Sequence, residues 1–216
     1  QYIYDPADRV LETRYLDPKG QPVNNSQGYA LRRNTWDARG NNTQEAYLDA
    51  AGAPVNTVFR YAYIERQYDA YGSLIQEAYY DAGQQPVLCR EGFWAKQCRY
   101  DTQNRLWVEQ YVDAQGQPVA LDEGYSAIQY DYDRLGNRVR QTYLNPQGAP
   151  VLSLSGYAIM ESLYDFQRRE VERLYRDTDG NPVEIGAGYH SVRYAYDIAG
   201  NVTEESYWDL QGNAAT

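Results

Sequence analysis

A 32-residue period runs through the chain without an insertion or a deletion, and it constrains the fold more than any other feature. Its clearest marker is a column of aspartates, made of Asp5, Asp37, Asp69, Asp101, Asp133, Asp165 and Asp197. The same step connects Tyr15 to Tyr47, and Pro22 to Pro54, each of these prolines being followed by Val. A fixed period of this length predicts a tandem array in which each copy packs on its neighbours. We expect a single array over 1–216, with partial copies at 1–27 and 188–216 and whole copies at 28–59, 60–91, 92–123, 124–155 and 156–187.

Tyrosine takes the place of aliphatic residues in this chain. Aliphatic residues are few and the net charge is −10, a balance that by itself would favour disorder. Most of the 24 tyrosines, however, fall in three columns of the repeat, those of Tyr4, Tyr15 and Tyr29. Tyrosine buries a large ring and leaves its hydroxyl at a wet edge. We therefore expect an ordered but shallow core built from rows of tyrosine rings.

Charge and hydropathy exclude two classes of partner. The acidic chain lacks the clusters of Lys and Arg that nucleic-acid phosphates require. It also lacks an apolar run of about 18 residues, so we expect no membrane insertion. Because the chain begins and ends within a copy, we expect a piece of a longer array, with neighbouring repeats or domains of the parent chain as its partners.

Tight turns divide each copy into strands. An Asp-x-x-Gly or Asp-x-x-Asn tetrapeptide, such as Asp133–Gly136 or Asp17–Gly20, ends most apolar segments, although Asp5–Asp8 and Asp165–Arg168 have lost the Gly. Aspartate favours the first position of a type I turn, and glycine tolerates the left-handed conformation of a following G1 bulge. The first segment of a copy alternates with period 2, which is typical of a half-buried strand. The second, containing Val139 and Tyr143, could form a short helix, but a segment of about eight residues between two turns favours a strand.

These signals predict an all-β fold of tandem β-hairpin repeats, stacked as an elongated solenoid or spiral ribbon. A closed seven-bladed ring is the alternative, although 32 residues are few for a propeller blade, which takes roughly 40 or more. The Pro-Val element is expected to break strand pairing, because proline donates no ladder hydrogen bond. A polar connector such as 24–27 then leads to the next Gly-Tyr.

The first turn of each copy resembles a known repeat. Tyr130-Asp-Tyr-Asp-Arg-Leu-Gly-Asn137 and Tyr194-Ala-Tyr-Asp-Ile-Ala-Gly-Asn201 are similar to the YD (RHS-type) repeat of large bacterial proteins, whose pattern is Tyr-x-Tyr-Asp-x-x-Gly-Asn. The present copy is longer, and its Pro-Val and Gly-Tyr-Ala elements lie outside that pattern. This resemblance implies a secreted or cell-surface bacterial protein in which hairpins wind into a sheet, acting as a shell, spacer or adhesive stalk.

A fainter similarity connects the aromatic hairpins to the choline- and glucan-binding repeats of bacterial surfaces. It implies a carbohydrate- or wall-binding module that stacks sugars on aromatic rows, with cell-surface glycan as a partner. The candidate ligand-stacking residues are those that follow the connector directly, Tyr29, Tyr61, Phe93, Trp94, Tyr125, Tyr157 and Tyr189. The other interpretation is that these rings stack on one another and form the core. Neither resemblance implies catalysis.

Other candidate sites are weak. His190 is the single histidine and has no repeated nucleophile beside it, so we expect no enzyme. Asp177 and Asp179 begin like a calcium loop, but Gly188 stands where the twelfth-position Glu would be, so we expect neither a metal nor another cofactor. Cys89 and Cys98 lie in one connector region. They form either a disulfide, which would suit a secreted protein, or two partly buried free thiols.

Overall fold

The computed structural model describes residues 1–215, and its regular structure is entirely β. The strands are β1 Tyr2–Tyr4, β2 Val10–Arg14, β3 Leu31–Trp36, β4 Asn42–Leu48, β5 Tyr63–Tyr68, β6 Leu74–Tyr80, β7 Ala95–Tyr100, β8 Leu106–Val112, β9 Ala127–Tyr132, β10 Arg138–Leu144, β11 Ile159–Tyr164, β12 Glu170–Arg176, β13 Ser191–Tyr196 and β14 Val202–Trp208. Their hydrogen-bonded order follows the chain from β1 to β14. The predicted all-β stack of hairpins is confirmed, and so is the choice of a strand for the segment containing Tyr143.

The closed ring is wrong. Strands β1 and β14 are the two edges of the sheet, and within residues 1–215 no pairing between them closes it. Each copy contributes two antiparallel strands, and each strand pairs with the one before it and the one after it. An array built this way has no intrinsic point of closure.

Two compact units make up the chain. The first contains Gln1–Arg99 and Tyr111–Val119, and the second contains Tyr100–Gln110 and the residues from Ala120 onward. Within each unit the 32-residue spacing of the strands is kept. Within residues 1–215 no helix is long and apolar enough to cross a membrane.

The first turn of each copy has the predicted geometry. In the turn between β3 and β4, the Gly40 amide donates to the Asp37 carbonyl at 3.2 Å, and the Asp37 amide donates to the Asn41 carbonyl at 3.0 Å. Gly40 has φ 89°, and the register shifts by one residue next to Trp36, as a bulge requires. One Asp37 carboxylate oxygen accepts the amides of Arg39 and Asn41 at 2.8 and 2.9 Å. The turn is therefore held by its aspartate.

The expectation for the Pro-Val element was wrong in part. Pro54 still forms a bridge with Leu48, and the Val55 amide donates to the Tyr47 carbonyl at 3.0 Å. Proline lacks the donor, but its two neighbours carry the pairing, since the Asp49 amide donates to the Ala53 carbonyl at 2.8 Å on one side and the Val55 amide donates on the other. The strand pair therefore extends past the second turn before the chain leaves the sheet.

A third turn follows, where the sequence suggested only a connector. The Gly28 amide donates to the Asn25 carbonyl at 3.0 Å, and Gly28 has φ 93°. Successive third turns also bond to one another, since the Val58 amide donates to the Gln27 carbonyl at 3.0 Å and the Arg90 amide donates to the Phe59 carbonyl at 3.1 Å. Each copy thus has three turns rather than two.

Candidate functional site

Two tyrosine columns merge into an aromatic ladder within each compact unit. We use this name for the alternating members of the Tyr15 and Tyr29 columns. In the first unit the ladder is Tyr15, Tyr29, Tyr47, Tyr61, Tyr79, Phe93 and Tyr111, with consecutive ring centroids 4.7–5.8 Å apart. In the second unit it is Tyr125, Tyr143, Tyr157, Tyr175, Tyr189 and Tyr207, with spacings of 4.6–6.0 Å. Spacings in this range are those of stacked and edge-to-face aromatic pairs.

The ladder accounts for all but one of the candidate stacking residues. Tyr29 and Phe93 are buried, with 4% and 7% of their surface exposed. The other tyrosines of the set are half-buried between their ladder neighbours, namely Tyr61, Tyr125, Tyr157 and Tyr189. These rings contact one another along the sheet, so their faces are largely occupied by other rings.

Trp94 lies apart from the ladder. Its ring packs edge-to-face on Tyr80 at 6.0 Å, against a buried cluster of Ala78, Ala95 and Val112. A neighbouring position in the sequence need not share a face, because successive side chains of an extended chain point to opposite sides. Trp94 is therefore a packing residue of the first unit.

A network of charged side chains borders the ladder in the first unit. Arg66 donates to the Glu45 carboxylate at 2.8 Å and to the Glu77 carboxylate at 2.6 Å. The phenol of Tyr47 donates to Glu45 at 2.9 Å, and that of Tyr79 donates to Glu77 at 2.8 Å. All three charged side chains are largely buried, at 13–18% exposed. The network therefore fixes the phenol groups of two ladder rings, Tyr47 and Tyr79.

Burial sets the proton affinities of these groups. It raises the pKa of Tyr47 and Tyr79 far above that of an ordinary phenol, with the neighbouring carboxylates acting in the same direction. Burial also raises the pKa of Tyr61 to about 12. For Glu77 burial opposes ionisation, but the hydrogen bonds from Arg66 and Tyr79 outweigh it and hold the pKa below its ordinary value. The phenols thus keep their protons at neutral pH, whereas Glu77 is ionised.

The third aromatic column connects each copy to the one before it. The Tyr68 hydroxyl donates to the Asn42 carbonyl at 2.9 Å, across 26 residues of sequence. The same bond is made by Trp36 to Val10, Tyr132 to Leu106, Tyr164 to Arg138 and Tyr196 to Glu170. These rings are half-buried, and each has its polar atom satisfied by a backbone carbonyl. This column therefore joins copies together and leaves its polar atoms little capacity to hold a ligand.

Arginines strengthen the row of first turns. Arg105 pairs with the Asp101 carboxylate at 2.6 Å, lies over the Tyr132 ring at 4.6 Å, and donates to the Asp133 carbonyl of the next copy at 3.2 Å. Arg9 and Arg169 occupy equivalent positions and make the same three contacts. Sequence reasoning missed this clamp, although the fifth residue of each first turn already alternates between Arg and Asn in several copies.

The two cysteines are buried, and neither forms a disulfide. The Cys89 amide donates to the Phe93 carbonyl at 2.8 Å, which holds Cys89 in the third turn before β7. Cys98 lies about 10 Å along β7 from its first residue, Ala95, at the usual strand rise, and Phe93, the partner of Cys89, precedes that residue by two positions. A disulfide requires Cα atoms less than about 7 Å apart, so this geometry favours the free-thiol alternative over a bond between the two.

The remaining polar candidates have local roles. The Asp177 carboxylate accepts the amides of Asp179 and Asn181 at 2.9 and 2.8 Å, which is the turn contact seen throughout the array. His190 Nδ1 lies 3.0 Å from the Trp208 carbonyl. Across residues 1–215 no group of three or more His, Cys, Asp or Glu side chains is arranged to hold a metal ion.

Comparison with known proteins adds little to this geometry. No family model and no curated protein matches the chain. A solved structure of TcdB2-TccC3-TEV is 14% identical with a TM-score of 0.45, covering 98% of this chain and 11% of that one. A Photorhabdus luminescens Tc holotoxin pore with the mutation TccC3-D651A is 15% identical with a TM-score of 0.44, covering 96% and 11%. The chain thus spans about a ninth of those chains.

Proposed function

We propose that this chain is a non-catalytic structural segment of a larger secreted or cell-surface bacterial repeat protein, serving as a shell, spacer or stalk. The observation that carries the proposal is the aromatic ladder. Its rings pack on the rings of neighbouring copies, so the residues that most resemble a binding surface form the core. The YD-like first turns support the bacterial and extracellular part of the proposal.

Contacts between copies support a structural role. Besides the pairing of neighbouring strands, four sets of contacts cross from one copy to the next: the ladder, the hydrogen bonds of the Tyr68 column, the arginine bonds to the following first turn and the stacked third turns. In a repeat array, stability is the sum of the intrinsic terms of the copies and the interfaces between neighbours. Here ladder rings of neighbouring copies pack on one another, so each added copy supplies a further interface.

The experiment compares stability and binding in the same variants. Tyr29→Ala removes a buried rung and should lower the free energy of unfolding by about 3 kcal/mol, the scale of a large-to-small change in a core. Tyr71→Ala is the matched control, because that ring is 85% exposed and lies outside the ladder, and we expect little change. Urea unfolding measures both.

Binding is tested on a glycan array and with purified cell wall. We expect no saturable binding by the unaltered chain. Saturable binding that is lost when Tyr29, Tyr61 and Tyr125 are replaced, in variants that remain folded, would contradict the structural proposal and favour the carbohydrate-binding alternative.

A further inference from the structure

The ladder of the first unit places oxidisable rings in contact over several copies. Tyr15, Tyr29, Tyr47, Tyr61 and Tyr79 follow one another with centroid distances of 5.5, 4.8, 5.8 and 4.7 Å. Phenols are the side chains here that lose a single electron readily, and rings in such contact exchange electrons. A core made of aliphatic residues would have no such property.

Two of these rungs also have a place to put a proton. A phenol that loses an electron becomes a strong acid, so its oxidation is easier when a base already accepts its hydrogen bond. Tyr47 donates to Glu45 at 2.9 Å, and Tyr79 donates to Glu77 at 2.8 Å. Hydrogen-bond contact is the geometry that proton transfer requires. Arg66 lies between the two carboxylates and bonds to both.

The ladder of the first unit begins with a solvent-accessible ring, and its series of oxidisable rings is interrupted at one position. Tyr15 is 38% exposed, whereas Tyr47 is 8% exposed. After Tyr79 the next rung is Phe93, whose centroid is 5.7 Å away. Phenylalanine packs as tyrosine does but has no phenol, so the packing continues through this position while the series of oxidisable rings stops.

From this arrangement we propose that Tyr15 to Tyr79 form a one-electron relay in which oxidation at the exposed end is stored at Tyr47 and Tyr79. A one-electron oxidant in solution removes an electron from Tyr15. Tyr47 replaces that electron through the ring of Tyr29, and the phenolic proton of Tyr47 passes to Glu45. The products are a reduced oxidant, a restored Tyr15, a neutral tyrosyl radical at Tyr47 and a protonated Glu45.

Exchange between the two storage rungs is balanced in the same way. Tyr79 gives one electron to the Tyr47 radical through Tyr61. Glu45 returns its proton to the Tyr47 oxygen, and the proton of Tyr79 passes to Glu77. The radical has then moved two rungs inward without a change in total charge, and Phe93 prevents it from moving further.

The test injects the oxidising equivalent at one known point of the whole chain. Val23 is 45% exposed, and its amide donates to the Tyr15 carbonyl at 3.0 Å, so Val23→Cys places a label beside the accessible end. A ruthenium tris-bipyridine label on that cysteine is oxidised by flash-quench photochemistry. The native thiols are buried, and burial raises the pKa of Cys89 to about 11, so the introduced cysteine takes the label.

Tyrosyl absorbance and electron paramagnetic resonance report the radical. We expect a long-lived tyrosyl radical in the labelled chain. Tyr29→Phe should abolish it, and Tyr47→Phe together with Tyr79→Phe should do the same, since both keep the packed rings but remove phenols. Tyr63→Phe is the control, because Tyr63 is equally buried but lies outside the ladder, and the radical should persist.

Two outcomes overturn the proposal. In one, the radical survives Tyr29→Phe with an unchanged lifetime, which means that it never entered the ladder. In the other, Tyr63→Phe also abolishes it, which means that the ladder is not the path. The double variant Glu45→Gln, Glu77→Gln is an independent test, because it removes both proton acceptors. We expect a shorter lifetime of the tyrosyl radical, and thermal unfolding checks that the variant is still folded.

Discussion

Two kinds of first turn recur along the array, and they give the turn aspartate different partners. In the turns of Asp37, Asp133 and Asp197 the fourth residue is Gly and the fifth is Asn, whose side chain donates to the turn aspartate at 2.8–2.9 Å. In the turns of Asp5, Asp101 and Asp165 the fourth residue is not Gly, although its φ is still positive, at 58–65°. Here the fifth residue is Arg, which bonds to the aspartate and also to the following turn.

The two turns differ in what they stabilise: one has a relaxed backbone of its own, and the other connects its copy to the next. The Gly-Asn turn has a relaxed backbone and a neutral partner for its carboxylate. The Arg turn carries a left-handed non-glycine residue, an arrangement that costs free energy, and it gains a clamp on the next copy. In these pairs the Arg turn precedes a Gly-Asn turn, which explains why the Tyr-Asp-x-x-Gly-Asn motif of 132–137 returns 64 residues later at 196–201.

Acid should produce the largest effect, because it acts on both kinds of turn at once. Backbone hydrogen bonds and Arg105 lower the pKa of Asp101, and Asn41 lowers the pKa of Asp37. A carboxyl whose pKa is lowered by folding stabilises the fold above its unfolded value of 3.8, and that stabilisation is lost as pH falls through the folded pKa. We expect cooperative unfolding below pH 3.8, followed by circular dichroism.

Single substitutions then distinguish the two turns at neutral pH, where the turn aspartates are ionised. Asp133→Asn should be mild, because Asn145 already holds a second turn through the same pair of amide contacts at 3.0 Å. Asp101→Asn should lower the melting temperature more, because Arg105 loses its counter-charge. Equal effects in the two variants at neutral pH would contradict the distinction.

Removing the clamp should give the next largest effect. Arg105→Ala loses the contact with the Tyr132 ring and the bond to the Asp133 carbonyl, which together should cost about 2 kcal/mol of unfolding free energy. Arg134→Ala, at the exposed tip of a neighbouring turn, is the matched control and should change little. If Arg105→Lys keeps full stability, charge alone holds the clamp and the planar fork of arginine is unnecessary.

The smallest effect concerns the glycine of the relaxed turn. Gly136 has φ 84°, and an added Cβ would meet no atom within 4 Å, so Gly136→Ala should cost about 1 kcal/mol through backbone conformation alone. Gly186→Ala is the control, because Gly186 has an ordinary φ and equally open surroundings. Urea unfolding of the two variants should therefore differ, and equal stability would show that the left-handed conformation is not costly here.

Features within one copy could be predicted from the sequence, whereas contacts between copies could not. Asp37 and Gly40 identify a turn because their roles depend on residues next to them. The union of the Tyr15 and Tyr29 columns depends on the level at which neighbouring strands meet, and a period of 32 does not give that offset. The sequence pattern did not predict the third turn, because its first residue varies among Asn25, Thr57 and Cys89. The only signal in the sequence is the glycine that precedes the tyrosine in most copies.

The reach of the third aromatic column has a consequence for how such a sequence can change over generations. Five of its rings, Trp36, Tyr68, Tyr132, Tyr164 and Tyr196, each bond to a carbonyl that lies 26 residues earlier. One residue added to or deleted from a strand between the two partners would shift the register and turn side chains to the opposite side of the sheet. Substitutions are therefore tolerated more readily than insertions or deletions, and the length of a copy is kept.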